Sequence, residues 1–296
     1  MKFLLVLASV VLAINAATDQ ELWMEFKETH GREYRNLRGR TTSASQFSNK
    51  ICVPSKNTMK VPIADQYWKL KRPSSMYLPN LEAPAEVNWV NKGVVTGVKN
   101  QGSCGSCWSF SATGALEGAY AVKHGSLISL SEQNLMDCST SYGNNACNGG
   151  LMEYAYKYVH DYGIETEKDY PYTAKKGTCQ YSSSKKTAVK VTGYSTVTKK
   201  NEASLATAVA NQPVAVAVNA QKWQHYAGGI FDDSSCSQSI DHGVLAVGYA
   251  TSGSTPYWLI KNSWGTSWGE KGYIRLVRNK NNQCGVVNDA TVPSLS

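Results

Sequence analysis

Hydrophobic and polar positions change their pattern partway along the chain. Small and apolar residues from Ser109 to Val122 predict a helix, and Leu151 to Val159 predicts a second one. The later part instead contains short β-rich runs bounded by Gly, Asn and Ser, at 214–218, 243–249, 257–261 and 272–277. A helical half followed by a strand half predicts an α+β fold with two lobes.

A separate apolar segment opens the chain. Met1-Lys2 precedes a mostly apolar run from Phe3 to Ile14, and Asn15-Ala16-Ala17 follows it. This order is typical of a secretory signal peptide cleaved near Ala16, and the run is too short to span a bilayer. No later run qualifies as a membrane span. We therefore expect residues 1–16 to be removed and the remainder to enter the secretory route, where disulfides persist.

Charge adds little to this picture. The formal net charge is +8, but residues 83–296 hold 18 Lys and Arg against 15 Asp and Glu. Three Lys pairs, at 175–176, 185–186 and 199–200, lie in one loop-rich stretch without interleaved aromatic residues. This pattern favours a solvated face over nucleic-acid binding. We expect no nucleic-acid partner and no cofactor.

Cys107 opens the first predicted helix, in the run Gln101-Gly-Ser-Cys-Gly-Ser-Cys-Trp108. The partial positive charge at a helix N-terminus favours the thiolate, which is the form that attacks carbonyl carbon. With Cys104 it could also form a redox pair or half of a zinc site. No second C-x-x-C occurs, and Trp108 follows the motif, whereas in thioredoxin-like sites the tryptophan precedes it. The sequence therefore favours a nucleophile and no metal site.

A nucleophilic cysteine needs a base, and His242 is the best candidate. It lies between Asp241 and a glycine-started apolar strand. The other histidines lie in the N-terminal segment or in polar and helix-end contexts: His30, His124, His160 and His225. Taken alone, His242 is more often a structural histidine, Asn262 a turn asparagine and Gln101 a surface glutamine.

Five further motifs give these residues a context. They are Asn88-Trp89, Ser129-Leu-Ser-Glu-Gln-Asn-Leu135, Cys147-Asn-Gly-Gly150, Asp241-His-Gly243 and Lys261-Asn-Ser-Trp-Gly265. With the C-G-[SA]-C-[WY] pattern at Cys104 to Trp108, residues 83–296 resemble a mature cathepsin-L-like cysteine endopeptidase of the papain family. The resemblance implies a helical left lobe, a β-barrel-like right lobe and an active site in the cleft between them. It also implies that residues 17–82 are a prosegment.

The resemblance assigns roles to individual residues. Cys107 is the nucleophile, His242 the base, Asn262 its orienting partner, and Gln101 a donor to the oxyanion together with the Cys107 amide. Trp264 shields the bond between His242 and Asn262. The implied disulfides are Cys104 with Cys147, Cys138 with Cys179, and Cys236 with Cys284. The implied substrate-binding residues are Gly149, Gly150, Leu151, Met152, Ala217, Ile240, Asp241, Trp264 and Asp289.

Substrate preference follows from the implied pocket for P2, the second residue before the cleaved bond. Leu151, Met152, Ala217 and Ile240 predict a hydrophobic P2 residue. Asp289 at the floor of the pocket would also accept Arg or Lys at P2 by a charge-assisted hydrogen bond. The alternative is that Asp289 turns to solvent. Only eight residues lie between Cys138 and Cys147, which leaves no room for the cleft-blocking insertion that resembles cathepsin B. We therefore expect an endopeptidase.

The N-terminal part departs from the family. Leu22 to Lys27 resembles the opening prosegment helix, but residues 38–57 are rich in Ser, Thr and Asn and lack a helical period. We expect a shortened prosegment that inhibits weakly, and Cys52 without a disulfide partner. The expected partners are peptide substrates and cystatin-type inhibitors, on a monomer that is secreted or lysosomal. The absence of an N-x-S/T sequon favours localisation in the extracellular space or gut lumen.

Two other readings remain open from the sequence. A non-catalytic exported protein on the same fold is the rival from another class, although the intact Cys107, His242, Asn262 and Gln101 argue against it. Acyl transfer to an amine would use the same groups as hydrolysis. Labelling of Cys107 by a thiol-directed epoxide separates the first alternative from an enzyme, and product analysis separates the second.

Overall fold

The computed structural model describes residues 83–182 and 188–296. The predicted signal peptide, the prosegment and Cys52 lie outside these residues, as does the Lys pair at 185–186. The helices of the described part are α1 (Cys107–His124), α2 (Glu132–Cys138), α3 (Met152–Tyr162) and α4 (Glu202–Asn211). The strands are β1 (Val87–Asn88), β2 (Val191–Thr196), β3 (Val214–Val218), β4 (Ile230–Phe231), β5 (His242–Ser252), β6 (Thr255–Lys261), β7 (Tyr273–Val277) and β8 (Asp289–Leu295).

The strands form one sheet in the order β2, β8, β3, β5, β6, β7, β4, with β1 added to β5. All pairings are antiparallel except that of β4 with β7. Helices and a mainly antiparallel sheet together confirm the α+β prediction. The described part of the chain contains no helix long and apolar enough to cross a membrane.

Two hydrophobic cores lie on opposite faces of the central strands. Ala215 and Ala217 of β3 pack with the helices α1, α2 and α3, whereas Val214, Val216 and Val218 pack with α4 and the tryptophan-rich side of the sheet. Alternate residues of a strand point to opposite faces, so both faces of β3 are buried. This explains why 214–218 is apolar throughout and shows no alternation. The two cores correspond to the two predicted lobes.

The structure contains all three disulfides that the resemblance implied: Cys104–Cys147, Cys138–Cys179 and Cys236–Cys284.

Candidate active site

Helix α1 places the Cys107 sulfur at its N-terminus. Cys107 is the first helical residue, and no acidic residue lies in the first turn. The preceding Ser106 does not cap the helix, because its hydroxyl pairs with the Tyr172 hydroxyl at 2.7 Å. The backbone amide of Gly243 donates to the Cys107 sulfur at 3.0 Å. The helix N-terminus and this amide both favour a negatively charged sulfur.

Strand β5 brings His242 beside that sulfur. His242 is the first residue of β5 and precedes the glycine whose amide contacts Cys107. A Cβ at Gly243 would lie 3.3 Å from the Cys107 carbonyl oxygen and from the Trp108 Cα. Glycine thus allows β5 to approach α1 closely. The Ser111 hydroxyl adds a second link by donating to the Val244 carbonyl at 2.7 Å.

Asn262 fixes which imidazole nitrogen carries hydrogen. Its Oδ1 accepts the Ser263 backbone amide at 2.8 Å and lies 2.8 Å from Nε2 of His242. A backbone amide can only donate, so the atom facing both groups is the oxygen, and Nε2 must be protonated. Nδ1 is then the nitrogen left to exchange a proton with sulfur. The buried Nδ2 of Asn262 has no hydrogen-bond partner among the described residues.

Burial controls the charge of His242. Only 5% of the residue is exposed, and burial lowers its pKa to about 4, while the hydrogen bond to Asn262 opposes the fall. The Trp264 ring covers one side of the imidazole, with ring centroids 4.8 Å apart. Burial therefore favours the neutral imidazole. Its positive charge in a catalytic pair therefore depends on a thiolate opposite.

Gln101 is held against the segment that carries Asn262. Its backbone amide donates to the Ser263 carbonyl at 2.9 Å, and its side-chain Oε1 accepts the Ser263 hydroxyl at 2.7 Å. Its Nε2 donates to the Cys104 carbonyl at 2.9 Å. An amide nitrogen carries two hydrogens, so this bond does not by itself prevent Nε2 from serving an oxyanion. Gln101 is 5% exposed, so the alternative of a surface glutamine does not hold.

Several of the predicted substrate-binding residues belong to one hydrophobic core or border it. Gly149, Gly150 and Leu151 precede α3 and Met152 opens it. Leu151, Met152 and Ala217 belong to one core, and Ile240 packs against it. A Cβ on Gly150 would lie 2.4 Å from Asn144 Oδ1 and 2.7 Å from the Trp108 ring, so this position requires glycine.

Asp289 pairs with Ala217 of β3, and Asp241 contacts the residues that follow this strand. Strand register places Ala217 of β3 between Gly243 of β5 and Asp289 of β8. Asp289 is 4% exposed, so the alternative that it turns to solvent is wrong. Asp241 accepts the Ala220 amide at 2.8 Å, and burial raises its pKa to about 6, which the hydrogen bonds from Ala220 and Gln221 oppose.

A buried charge cluster behind the site was not predicted. Lys99 Nζ contacts Glu117 at 3.0 Å and Glu132 at 2.7 Å, and Thr96 joins Glu117 to Lys261. The partners of the two ion pairs are 18 and 33 positions apart in the sequence. No local spacing could have revealed them. Among the described residues, no group of three or more His, Cys, Asp or Glu side chains could hold a metal ion.

Comparisons with known proteins agree with this geometry. Residues 83–294 match the family described as papain family cysteine protease. A cathepsin L-like proteinase of Phaedon cochleariae is 40% identical over 327 residues, which cover 100% of both chains. A cathepsin L-like proteinase of Fasciola hepatica is 50% identical over 220 residues, covering 73% of this chain and 67% of that protein.

Two solved structures are also similar. Digestive procathepsin L 3 of the Tenebrio molitor larval midgut is 38% identical with a TM-score of 0.71, covering 95% of this chain and 100% of that one. The bromelain protease of Ananas comosus, in complex with the E64 inhibitor, is 39% identical with a TM-score of 0.69. It covers 72% of this chain and 100% of its own.

Proposed function

This chain belongs to the papain family of cysteine proteases and is cathepsin L-like, and we propose that it cleaves peptide bonds as an endopeptidase through a thiolate of Cys107 and an imidazolium of His242. The observation that carries this proposal is that His242, which pairs with Asn262, directly precedes the glycine whose amide donates to the Cys107 sulfur. It supplies a nucleophile, a base and an orienting acceptor in sequence.

The reaction steps follow from these atoms. The reduced sulfur gives its proton to Nδ1 of His242 and attacks the substrate carbonyl carbon. The oxyanion then accepts hydrogen bonds from Gln101 Nε2 and from the Cys107 amide, which together lower the barrier. The imidazolium passes its proton to the leaving amine, and water completes hydrolysis of the thioester with His242 as the base.

The P2 pocket is the second part of the proposal. Leu151, Met152, Ala217 and Ile240 supply apolar walls, and buried Asp289 supplies a carboxylate near Ala217. We expect Leu, Phe or Val at P2, with Arg and Lys gaining as pH rises through the titration of Asp289. Unchanged Arg-to-Phe selectivity in Asp289→Asn would contradict this part.

Activation is the third part. We propose that residues 1–16 direct export, that 17–82 are a weakly inhibiting prosegment, and that 83–296 are the mature, monomeric enzyme, open to cystatin-type inhibitors. Secretion to the extracellular space or gut lumen is favoured over the lysosome. Because the prosegment is shortened, the precursor should give less soluble zymogen than one carrying a full-length prosegment, and equal recovery would contradict this.

One experiment tests the catalytic assignment directly. The full chain is matured at acid pH under reducing conditions, treated with a thiol-directed epoxide, and mapped by mass spectrometry. We expect one label, on Cys107, with complete loss of activity, and no label in Cys107→Ser. A Cys107→Ser protein that keeps full peptidase activity would refute the assignment.

A further inference from the structure

A buried polar group lies behind the floor of the P2 pocket. Asp289 and Thr291 are alternate residues of β8, opposite Ala217 and Ala215 of β3. Side chains two positions apart on a strand share a face. That face includes the side on which α3 packs against β8, and α3 contributes Tyr156, which is fully buried.

The hydroxyls of Tyr156 and Thr291 are unusual for buried groups. Both residues have 0% exposure, and neither hydroxyl oxygen meets the geometry of a hydrogen bond within the described chain. Leaving such a group unpaired typically costs about 1–3 kcal/mol. The Thr291 hydroxyl interacts with the phenol without meeting that geometry, so the two hydroxyls together keep at least one proton that they can donate to a carboxylate on the same face.

The charges around Tyr156 support a role for its hydroxyl at Asp289. Burial raises the pKa of Tyr156 far above its usual range; the Thr291 hydroxyl opposes the rise, and the charges of Glu153 and Asp289 add to it. The phenol thus keeps its proton at every working pH and is a permanent donor. It also lies close enough to Asp289 to sense its charge.

We propose that Tyr156 is a positioning residue for Asp289, and that its hydroxyl, together with that of Thr291, supports the charged carboxylate that receives a basic P2 side chain. This inference rests on the proposed function. A carboxylate stabilised by hydrogen bonds stays charged to lower pH.

Other charged groups lie on the elements that pack against β8. Besides tyrosines, the titratable groups on these elements are Glu153, Lys157, His160 and Asp161 on α3, and Cys107, Glu117, Lys123 and His124 on α1. Strand β3 contributes none. Glu153 is 6% exposed and adds a second negative charge that disfavours an ionised Asp289.

The test compares Arg and Phe at P2 across pH. Tyr156→Phe removes only the hydroxyl, and we expect the midpoint of the rise in the Arg-to-Phe ratio of kcat/KM to move up by about one pH unit. Below that midpoint the ratio falls about tenfold, since one pKa unit is a tenfold change in the charged fraction. The kcat/KM for substrates with Leu at P2 stays unchanged. Thr291→Val should move the midpoint in the same direction.

The matched control is Tyr158→Phe. Tyr158 is a buried tyrosine of the same helix, but its hydroxyl accepts from Asn134 at 3.3 Å, so its removal should leave the ratio and midpoint unchanged. An unshifted midpoint in both Tyr156→Phe and Thr291→Val, with basic selectivity lost in Asp289→Asn, overturns the role of Tyr156 alone. Selectivity unchanged in Asp289→Asn overturns the proposed P2 preference and this inference with it.

Discussion

The charge of His242 should depend on the sulfur of Cys107 more than on any other group. Burial lowers the pKa of His242 to about 4 when no charge on the Cys107 sulfur opposes the fall. Cys107→Ala reproduces that neutral surrounding. We therefore expect the imidazole to stay neutral across the whole range from about pH 5 to 9 in Cys107→Ala, because its proton is lost well below that range.

A thiolate opposite the imidazole favours its charged form instead. Two unit charges about 4 Å apart at an effective dielectric constant of about 20 attract by about 4 kcal/mol. One pKa unit corresponds to about 1.4 kcal/mol, so the thiolate should raise the His242 pKa by about three units, to roughly 7 or above. The two titrations belong to the pair. Activity is therefore lost as pH falls and the thiolate binds a proton, and lost again as pH rises and the imidazolium releases one.

The assay is an NMR titration of the histidine ring carbon-bound protons. Reduced mature enzyme and Cys107→Ala are each followed from acid to alkaline pH, with His225→Gln used to assign an unrelated histidine. We expect the His242 resonance to titrate about three units higher in the enzyme than in the variant. Equal His242 pKa values in the two proteins, or an ordinary value in Cys107→Ala, would refute the reasoning.

The sequence predicted those helices and strands whose residues show a local hydrophobic pattern. The bounds of β3 agree with the predicted run 214–218, and α1 begins at Cys107 as expected. Helix α4 and strands β2 and β8 were not predicted. Strand β8 contains Pro293 and pairs through backbone groups with residues nearly a hundred positions away, and such pairing leaves no local period.

In the candidate site, too, residues within motifs were predicted and contacts between distant segments were not. Cys107, His242 and Asn262 were identified by motif, but the Ser263 amide that fixes the Asn262 oxygen was not. The charge cluster was missed because its members come from separate elements. Through Thr96 it joins α1, which carries the nucleophile, to Lys261 at the end of β6, directly before Asn262. Stability and catalytic geometry therefore share this cluster.

Three substitutions test how the scaffold holds the site. Asn262→Ala removes the acceptor 2.8 Å from His242 Nε2, and we expect kcat/KM to fall by about 10- to 100-fold after active-site titration, since a charged hydrogen bond contributes about 1.5–3 kcal/mol; a change below twofold would contradict this. Gly150→Ala forces a Cβ to within 2.4 Å of Asn144 Oδ1 and should reduce the free energy of unfolding by about 1–3 kcal/mol. Gly97→Ala, which meets nothing within 4 Å, is its control in urea unfolding. Lys99→Met leaves Glu117 and Glu132, at 2% and 1% side-chain exposure, without their cation and should cost about 3–5 kcal/mol. Lys222→Met breaks a pair of the same 3.0 Å length as Lys99–Glu117, but its members are 45% and 34% exposed, and it should cost much less. Because the lengths match, equal losses in these two variants would show that burial does not set the strength of the cluster.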